Sequence, residues 1–278
     1  MEIGIRLHDT IEGTLEERLA FARKQGFTCA HLALSKAIPN FAMQDAPVRL
    51  TEEFADTVRN AFSRTGMRCV LLGCYLNLAN PDEEERARTQ DIYRAHLRFA
   101  RMSGADAVGT ETYAHPGSAY TPSAAQSEEA FQFFLESLKP VLETAEEENV
   151  PLAVEPVYHH IISTPERAER MLESLHSDAL RIILDAVNLI SPAQAESPTP
   201  VVEDAIRRLG SRVCLLHMKD YLPEGDPMKA VACGLGRMRY ESLLRFAKKQ
   251  ALPMTLENTV PENAEQARLF LEHQAEGL

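Results

Sequence analysis

The sequence predicts an α/β fold, a single (β/α)8 TIM barrel that takes residues 1–278 as one domain. Three observations predict it. Short apolar runs alternate with longer segments of helical spacing along all 278 residues. The apolar runs recur about eight times at roughly the 30–40-residue spacing of βα units, and an even alternation that fills a chain favours a closed parallel barrel. The doubly wound open sheet usually sets a Gly-rich phosphate loop after its first strand, whereas here the first run leads into Leu7-His8-Asp9-Thr10.

The strands are expected at Ile3–Leu7, Cys29–Leu34, Arg68–Cys74, Ala107–Thr110, Pro151–Val154, Arg181–Leu184, Arg212–Leu216 and Leu252–Leu256. Between them lie helices with readable ends. Thr14 is the N-cap of the first, and Glu17 three residues on completes a capping box. Leu15, Leu19 and Ala22 share a face, and Gly26 stops the helix. Thr51 opens a helix carrying Phe54, Val58 and Phe62, and Pro81-Asp82-Glu83 opens a charged one running toward Gly104. Phe131, Phe134, Leu135, Leu138 and Leu142 stripe the next, and Thr164-Pro165 is an N-cap followed by proline at the first helical position. Fainter helical patterns lie near 200–209, 239–249 and 262–273. The loop at 113–126 is long enough to serve as a lid over the barrel mouth, and the loop at 220–238 is a second such segment.

Composition narrows the partners. A hydrophobic content of 45% supports a sizeable core, and the formal net charge is −12. That charge argues against nucleic acid and against an anionic membrane surface, both of which recruit basic residues. The five cysteines, Cys29, Cys69, Cys74, Cys214 and Cys233, form no CxxC pair and mostly sit in apolar runs. They read as buried, reduced thiols of a cytoplasmic protein. No signal peptide and no run of transmembrane length is expected.

The strongest functional signal is positional. Leu152-Ala153-Val154 is followed by Glu155, Ile182-Ile183-Leu184 by Asp185, Cys214-Leu215-Leu216 by His217, and Met254-Thr255-Leu256 by Glu257. Four successive strands thus each deliver one metal-capable side chain at the C-terminal end, and in a parallel barrel those ends meet at one mouth. Strand side chains alternate, so each of the four shares a face with the residue two before it: Ala153, Ile183, Leu215 or Thr255. All are small or apolar, as a barrel interior requires. Three carboxylates converge comfortably only around a cation. One imidazole plus three carboxylates is a hard donor set that suits Mn²⁺ or Mg²⁺, with Co²⁺ or Zn²⁺ as alternatives.

These residues also carry a resemblance. The motifs Val154-Glu155-Pro156, Leu184-Asp185-Ala186-Val187-Asn188, Leu216-His217-Met218-Lys219-Asp220, Cys233-Gly234-Leu235-Gly236 and Leu256-Glu257 resemble the xylose-isomerase-like TIM barrels, the sugar-phosphate isomerase/epimerase family. The resemblance covers essentially the whole chain. It implies that Glu155, Asp185, His217 and Glu257 bind one divalent metal ion, that Glu155 and Glu257 exchange protons with a small sugar-like substrate, and that the protein is a homo-oligomer, a dimer or a tetramer. Many members have a second histidine where this chain has Asn188. Many epimerases place an arginine a few residues beyond the strand-seven histidine, where Lys219 and Asp220 are the nearby charges here. Isomerisation, epimerisation and the dehydration of an inosose or related polyol therefore all stay open. The zinc nucleases of the family need more histidine ligands and a basic face, and the −12 charge and Asn188 speak against that branch.

Other polar residues near the expected mouth are weighed singly. His8 ends the first strand and either contacts substrate or is a hydrogen-bonded rim residue. Tyr75 and Asn77 follow the third strand and can donate to substrate hydroxyls. Glu111 follows the fourth strand, as a substrate ligand, a partner of Glu155 or a simple loop carboxylate. Asn188 is a further substrate-binding candidate. Lys219 can stabilise an oxyanion, hold a carboxylate or form a rim salt bridge. His115, His159, His160, Arg237 and Arg239 read mainly as surface, with one of the pair His159 and His160 able to line the pocket.

The expected chemistry follows from the quartet. A Lewis-acidic ion polarises a carbonyl; one glutamate removes the adjacent proton to give an enediolate, and the other, or the same one, returns a proton to a different carbon or face. A barrel that binds sugar without turnover is the non-catalytic alternative.

Overall fold

The computed structural model describes residues 1–113 and 121–278. Eight parallel strands close into a barrel: β1 (Ile3–Arg6), β2 (Cys29–Leu32), β3 (Arg68–Gly73), β4 (Val108–Glu111), β5 (Leu152–Glu155), β6 (Leu180–Asp185), β7 (Val213–Met218) and, eighth in the wall, β10 (Met254–Leu256). The wall runs in chain order, and β10 closes it by pairing with β1, Gly4 opposite Thr255. Between β7 and the next helix a small antiparallel hairpin intervenes, β8 (Asp220–Leu222) with β9 (Lys229–Val231). The loop 220–238 thus contains regular structure that its mixed composition concealed.

The helices begin where their caps dictate. Thr14 and Glu17 form the reciprocal capping box at helix Leu15–Lys24, and Thr51, Asp82 and Thr164 each accept a backbone N–H at the start of Glu52–Thr65, Glu83–Ser103 and Pro165–Leu175. The fainter patterns are the helices Thr199–Leu209, Glu241–Gln250 and Ala264–Ala275. Of the loop 113–126, residues 114–120, which include His115, lie outside the described residues. The rest carries a short helix, Pro122–Ala125. Among the described residues no helix is long and apolar enough to cross a membrane.

The apolar residues divide into two layers. The larger packs helices against the outside of the wall; the smaller fills the barrel with Cys29, Val70, Leu71, Ala107, Ala153, Ile183 and Leu215. The interior is tight: a Cβ on Gly109 would meet Leu71 and Ile183 at 2.9 and 3.0 Å. Of the five free cysteines four are buried, while Cys214, expected to be buried, is only half-covered and packs against the inner layer.

Candidate active site

The packed interior ends where the polar residues begin. Inner positions recur every second residue, so the position after Ala153, Ile183, Leu215 and Thr255 on the same face belongs to Glu155, Asp185, His217 and Glu257. All four are buried. Register brings them together: Asp185 lies opposite His217, and Thr255, two residues before Glu257, also faces His217.

The same period places four further polar groups at the mouth. Glu111 stands beside Glu155 in register, and Tyr75 lies two residues beyond Gly73. Arg6 of β1 and His31 of β2, opposite one another, were not singled out from sequence. Yet Gly4 precedes Arg6 and Cys29 precedes His31 by the interval that revealed the quartet, so the alternation rule carried to the first two strands identifies both.

His217 is the hub. Its Nδ1–H donates to Glu155 Oε2 at 3.0 Å and lies 3.3 Å from Glu257 Oε1. Burial alone would lower its pKa; the carboxylates of Glu257 and Glu155 outweigh burial and raise it to about 9. The Asn188 amide donates to Glu155 Oε1 at 2.6 Å, so both Glu155 oxygens are fixed. Asn188 is itself positioned by Asp185, whose Oδ1 accepts the Asn188 backbone N–H at 3.1 Å. The buried Lys219 ammonium lies 2.7 Å from Asp185 Oδ2 and 3.2 Å from Glu257 Oε2. Arg6 approaches Glu257 Oε1 at 3.4 Å while also pairing with Asp9. Burial would raise the Glu257 carboxyl; the surrounding cations His217, Lys219 and Arg6 hold it well below the ordinary range. Asp185, wholly buried beside two other carboxylates, is raised by burial despite Lys219. Glu111 is raised too, by burial and by the charge of Glu155.

A second layer covers one side of this cluster. His31 stacks on His217, and its Nε2 lies 3.4 Å from the Tyr75 hydroxyl. A Cβ on Gly73 would sit 2.6 Å from His31 Nε2 and 2.7 Å from the Tyr75 ring, so glycine there allows both rings to reach the mouth. Burial and the neighbouring His217 cation depress His31 well below the usual histidine range. His8 meets His31 edge-on at 6.3 Å and is pushed down to about 4 by burial and by Arg6.

Not every expected residue joins the cluster. Asn77 is used by its own turn, its side-chain oxygen accepting the Ala79 N–H at 3.0 Å. His159 reaches across to Asp226 in the β8–β9 connection at 2.6 Å. His160, by contrast, is buried rather than at the surface and lies 3.8 Å from Glu111 Oε2, so it is the one of the histidine pair that lines the mouth. Arg237 pairs with Glu196 at the surface. The Cys233–Gly236 motif is structural: the buried Asp220 carboxylate accepts backbone N–H groups from Tyr221, Gly234 and Met238 at 2.9, 3.1 and 2.7 Å. A Cβ on Gly236 would collide with that carboxylate and with the Tyr221 carbonyl.

The donor set fits a divalent cation. Glu155, Asp185 and His217, all buried, offer ligand atoms within 4.8 Å of one another, and the His217 nitrogen that faces Glu155 and Glu257 is Nδ1, which becomes a ligand atom once its proton leaves. His31, His217 and Glu257 form an equally compact group. There the two imidazole planes are parallel to within 3° and stacked. An imidazole lone pair lies in the ring plane, so stacked parallel rings cannot both aim at one ion. The Glu155–Asp185–His217 group, with Glu257 joined through His217, is therefore the better cradle.

Residues 19–274 match the family model described as xylose isomerase-like TIM barrel. No curated protein matches the sequence. Among solved structures, the chain is similar to an IOLI protein with a bound zinc atom, with a TM-score of 0.75 and 14% identity over 99% of this chain and 98% of that one. It is similar to 3-keto-D-glucoside 4-epimerase, YcjR, from E. coli, with a TM-score of 0.72 and 14% identity over 98% and 99% of the two chains. It is also similar to D-psicose 3-epimerase from Clostridium cellulolyticum H10, with a TM-score of 0.72 and 15% identity over 99% and 100%. At these identities the likeness establishes the barrel.

Proposed function

Since the chain belongs to the xylose isomerase-like TIM barrel family, we propose that it is a divalent-metal-dependent isomerase or epimerase of a small sugar-like ketose or aldose. The observation that carries the reading is the buried Glu155–His217–Glu257 arrangement, in which one imidazole Nδ1 is hydrogen-bonded to Glu155 and lies 3.3 Å from Glu257, beside Asp185. Glu155, Asp185, His217 and Glu257 hold the ion in this reading, and their mainly oxygen character favours Mn²⁺ or Mg²⁺. When bound, the ion supplies Lewis acidity to a substrate carbonyl.

The remaining work falls to the chain. Glu155 and Glu257 are the proton carriers: one takes the proton from the carbon beside the carbonyl, and the other returns a proton to a different carbon or face. Asn188 and His217 fix the Glu155 carboxylate, while Arg6 and His217 fix that of Glu257, so neither has to be ordered during the reaction. Tyr75, His8, His31 and Glu111 present polar groups at the mouth for substrate hydroxyls. As part of the same proposal the protein is a homo-oligomer, supported by the family, and cytoplasmic, supported by its free cysteines.

The test is a panel of ketoses, aldoses and inososes incubated with Mn²⁺-loaded protein in D₂O, read by NMR. Deuterium at the carbon beside the carbonyl, with appearance of an isomer or epimer, is the expected result. Turnover without carbon-bound deuterium, or cleavage of abasic DNA in place of any sugar conversion, contradicts it.

A further inference from the structure

The Lys219 ammonium occupies the oxygens that a metal ion would need. Asp185 Oδ1 is committed to the Asn188 N–H, which leaves Oδ2 as its free ligand atom, and Lys219 Nζ sits 2.7 Å from that oxygen. Glu257 Oε1 faces His217 and Arg6, which leaves Oε2, and Lys219 Nζ lies 3.2 Å from it. The lysine is buried, and its backbone is pinned because its carbonyl accepts the Tyr240 hydroxyl at 3.1 Å. Its neighbour Asp220 is held by three backbone N–H groups. Only the four-carbon stem is free to move.

Two cations cannot share these oxygens cheaply, because like charges a few ångströms apart repel strongly where water is excluded. Without any cation, three buried carboxylates would repel one another instead. We propose that Lys219 is a built-in competitor for the divalent ion: it neutralises Asp185 and Glu257 in the ion-free barrel, and the ion must displace its ammonium to bind. Lys219 thereby lowers ion affinity and raises the stability of the ion-free protein. This rests on the metal reading above and assigns Lys219 a positioning role in that site.

The experiment uses the full chain stripped with chelator, as wild type, Lys219→Met and Lys219→Arg. Mn²⁺ dissociation constants are measured by calorimetry, and melting temperatures are recorded with and without Mn²⁺. Should Lys219→Met fold only with Mn²⁺, its constant is read by competition with a chelator of known affinity. Loss of the competing charge-assisted contacts should tighten Mn²⁺ binding by Lys219→Met about tenfold or more. The same variant should melt lower than wild type without the ion and gain more from it. Lys219→Arg, which keeps the cation, should bind no tighter than wild type. Wild type that binds Mn²⁺ while Lys219→Met binds equally or more weakly overturns the competitor role alone. Wild type that binds no Mn²⁺ overturns the metal reading itself, and this inference with it.

Discussion

The imidazole of His31 lies parallel to that of His217, with ring centroids 5.3 Å apart and planes within 3°. β2 and β7 are not neighbours in the wall, so this contact spans the barrel mouth. It closes one side of His217, while Glu155 and Glu257 hold its Nδ1 edge. An imidazole held on its face and along one edge has little freedom left to rotate.

His31→Ala should therefore loosen His217 without unfolding the barrel. Groups that orient a metal-ligating histidine typically contribute 10–100-fold to affinity. A loss of about tenfold in Co²⁺ affinity is expected for His31→Ala, and His31→Phe, which keeps a stacking ring, should lose less. Equal Co²⁺ affinity in wild type and His31→Ala, measured by titration of the visible Co²⁺ bands, would show that the stack does not position His217.

The glutamate pair gives a second expectation. Glutamine keeps the size and one oxygen ligand but cannot accept a proton at neutral pH. Glu155→Gln and Glu257→Gln should each keep a folded barrel and some metal yet lose on the order of 10²- to 10⁴-fold in turnover. Where the two serve different half-reactions, one variant should still wash a substrate proton out into D₂O while forming no product. A variant with full metal occupancy within about tenfold of wild type would reduce that glutamate to a ligand.

Much of this architecture was legible. The eight strand runs, the capping box at Thr14 and Glu17 and the caps at Thr51, Asp82 and Thr164 announce themselves because each rests on local chemistry at fixed spacing. The convergence of Glu155, Asp185, His217 and Glu257 was legible for the same reason, since strand alternation is local and barrel topology does the rest. His31 and Arg6 obey that rule too. They escaped because His31 lies inside a strand rather than just beyond it, and Arg6 is of a type that does not ligate metals. The β8–β9 hairpin and the Asp220 staple were not legible: Asp220 holds N–H groups 14 and 18 residues away, and no periodicity encodes such a contact. Asn77 read as a substrate donor because its turn toward Ala79 has no signature beyond composition.

Asp220 carries a stability prediction. Replacing it with alanine orphans the buried N–H groups of Tyr221 and Met238 and that of Gly234. With each hydrogen bond to a charged group worth about 1.5–3 kcal/mol, Asp220→Ala should cost about 3 kcal/mol or more. Urea unfolding checks it, and a cost below about 1 kcal/mol would mean that water satisfies the loop.

His96 predicts a pH dependence. It is fully buried in helix Glu83–Ser103, donates from Nδ1 to the Ile92 carbonyl at 2.8 Å and is pushed down to about 4 by burial. Its folded pKa lies below its unfolded value of 6.5. Its contribution is therefore intact above about pH 6.5 and is lost as pH falls toward 4, because the unfolded chain takes up a proton that the folded one refuses. Between pH 7 and pH 5 this removes about 2 kcal/mol. His96→Leu should lose correspondingly less stability over that interval. Parallel pH profiles for the two proteins, from urea unfolding at each pH, would show that His96 titrates alike folded and unfolded.

The central claim is that the buried ends of β5, β6, β7 and β10 cradle one divalent ion. Elemental analysis of the full chain, stripped, reconstituted with saturating Mn²⁺ and freed of excess, measures it directly. One ion per chain is predicted, falling to a small fraction in Asp185→Ala. Less than about half an ion per chain in the wild type, or one that Asp185→Ala still retains, would contradict it.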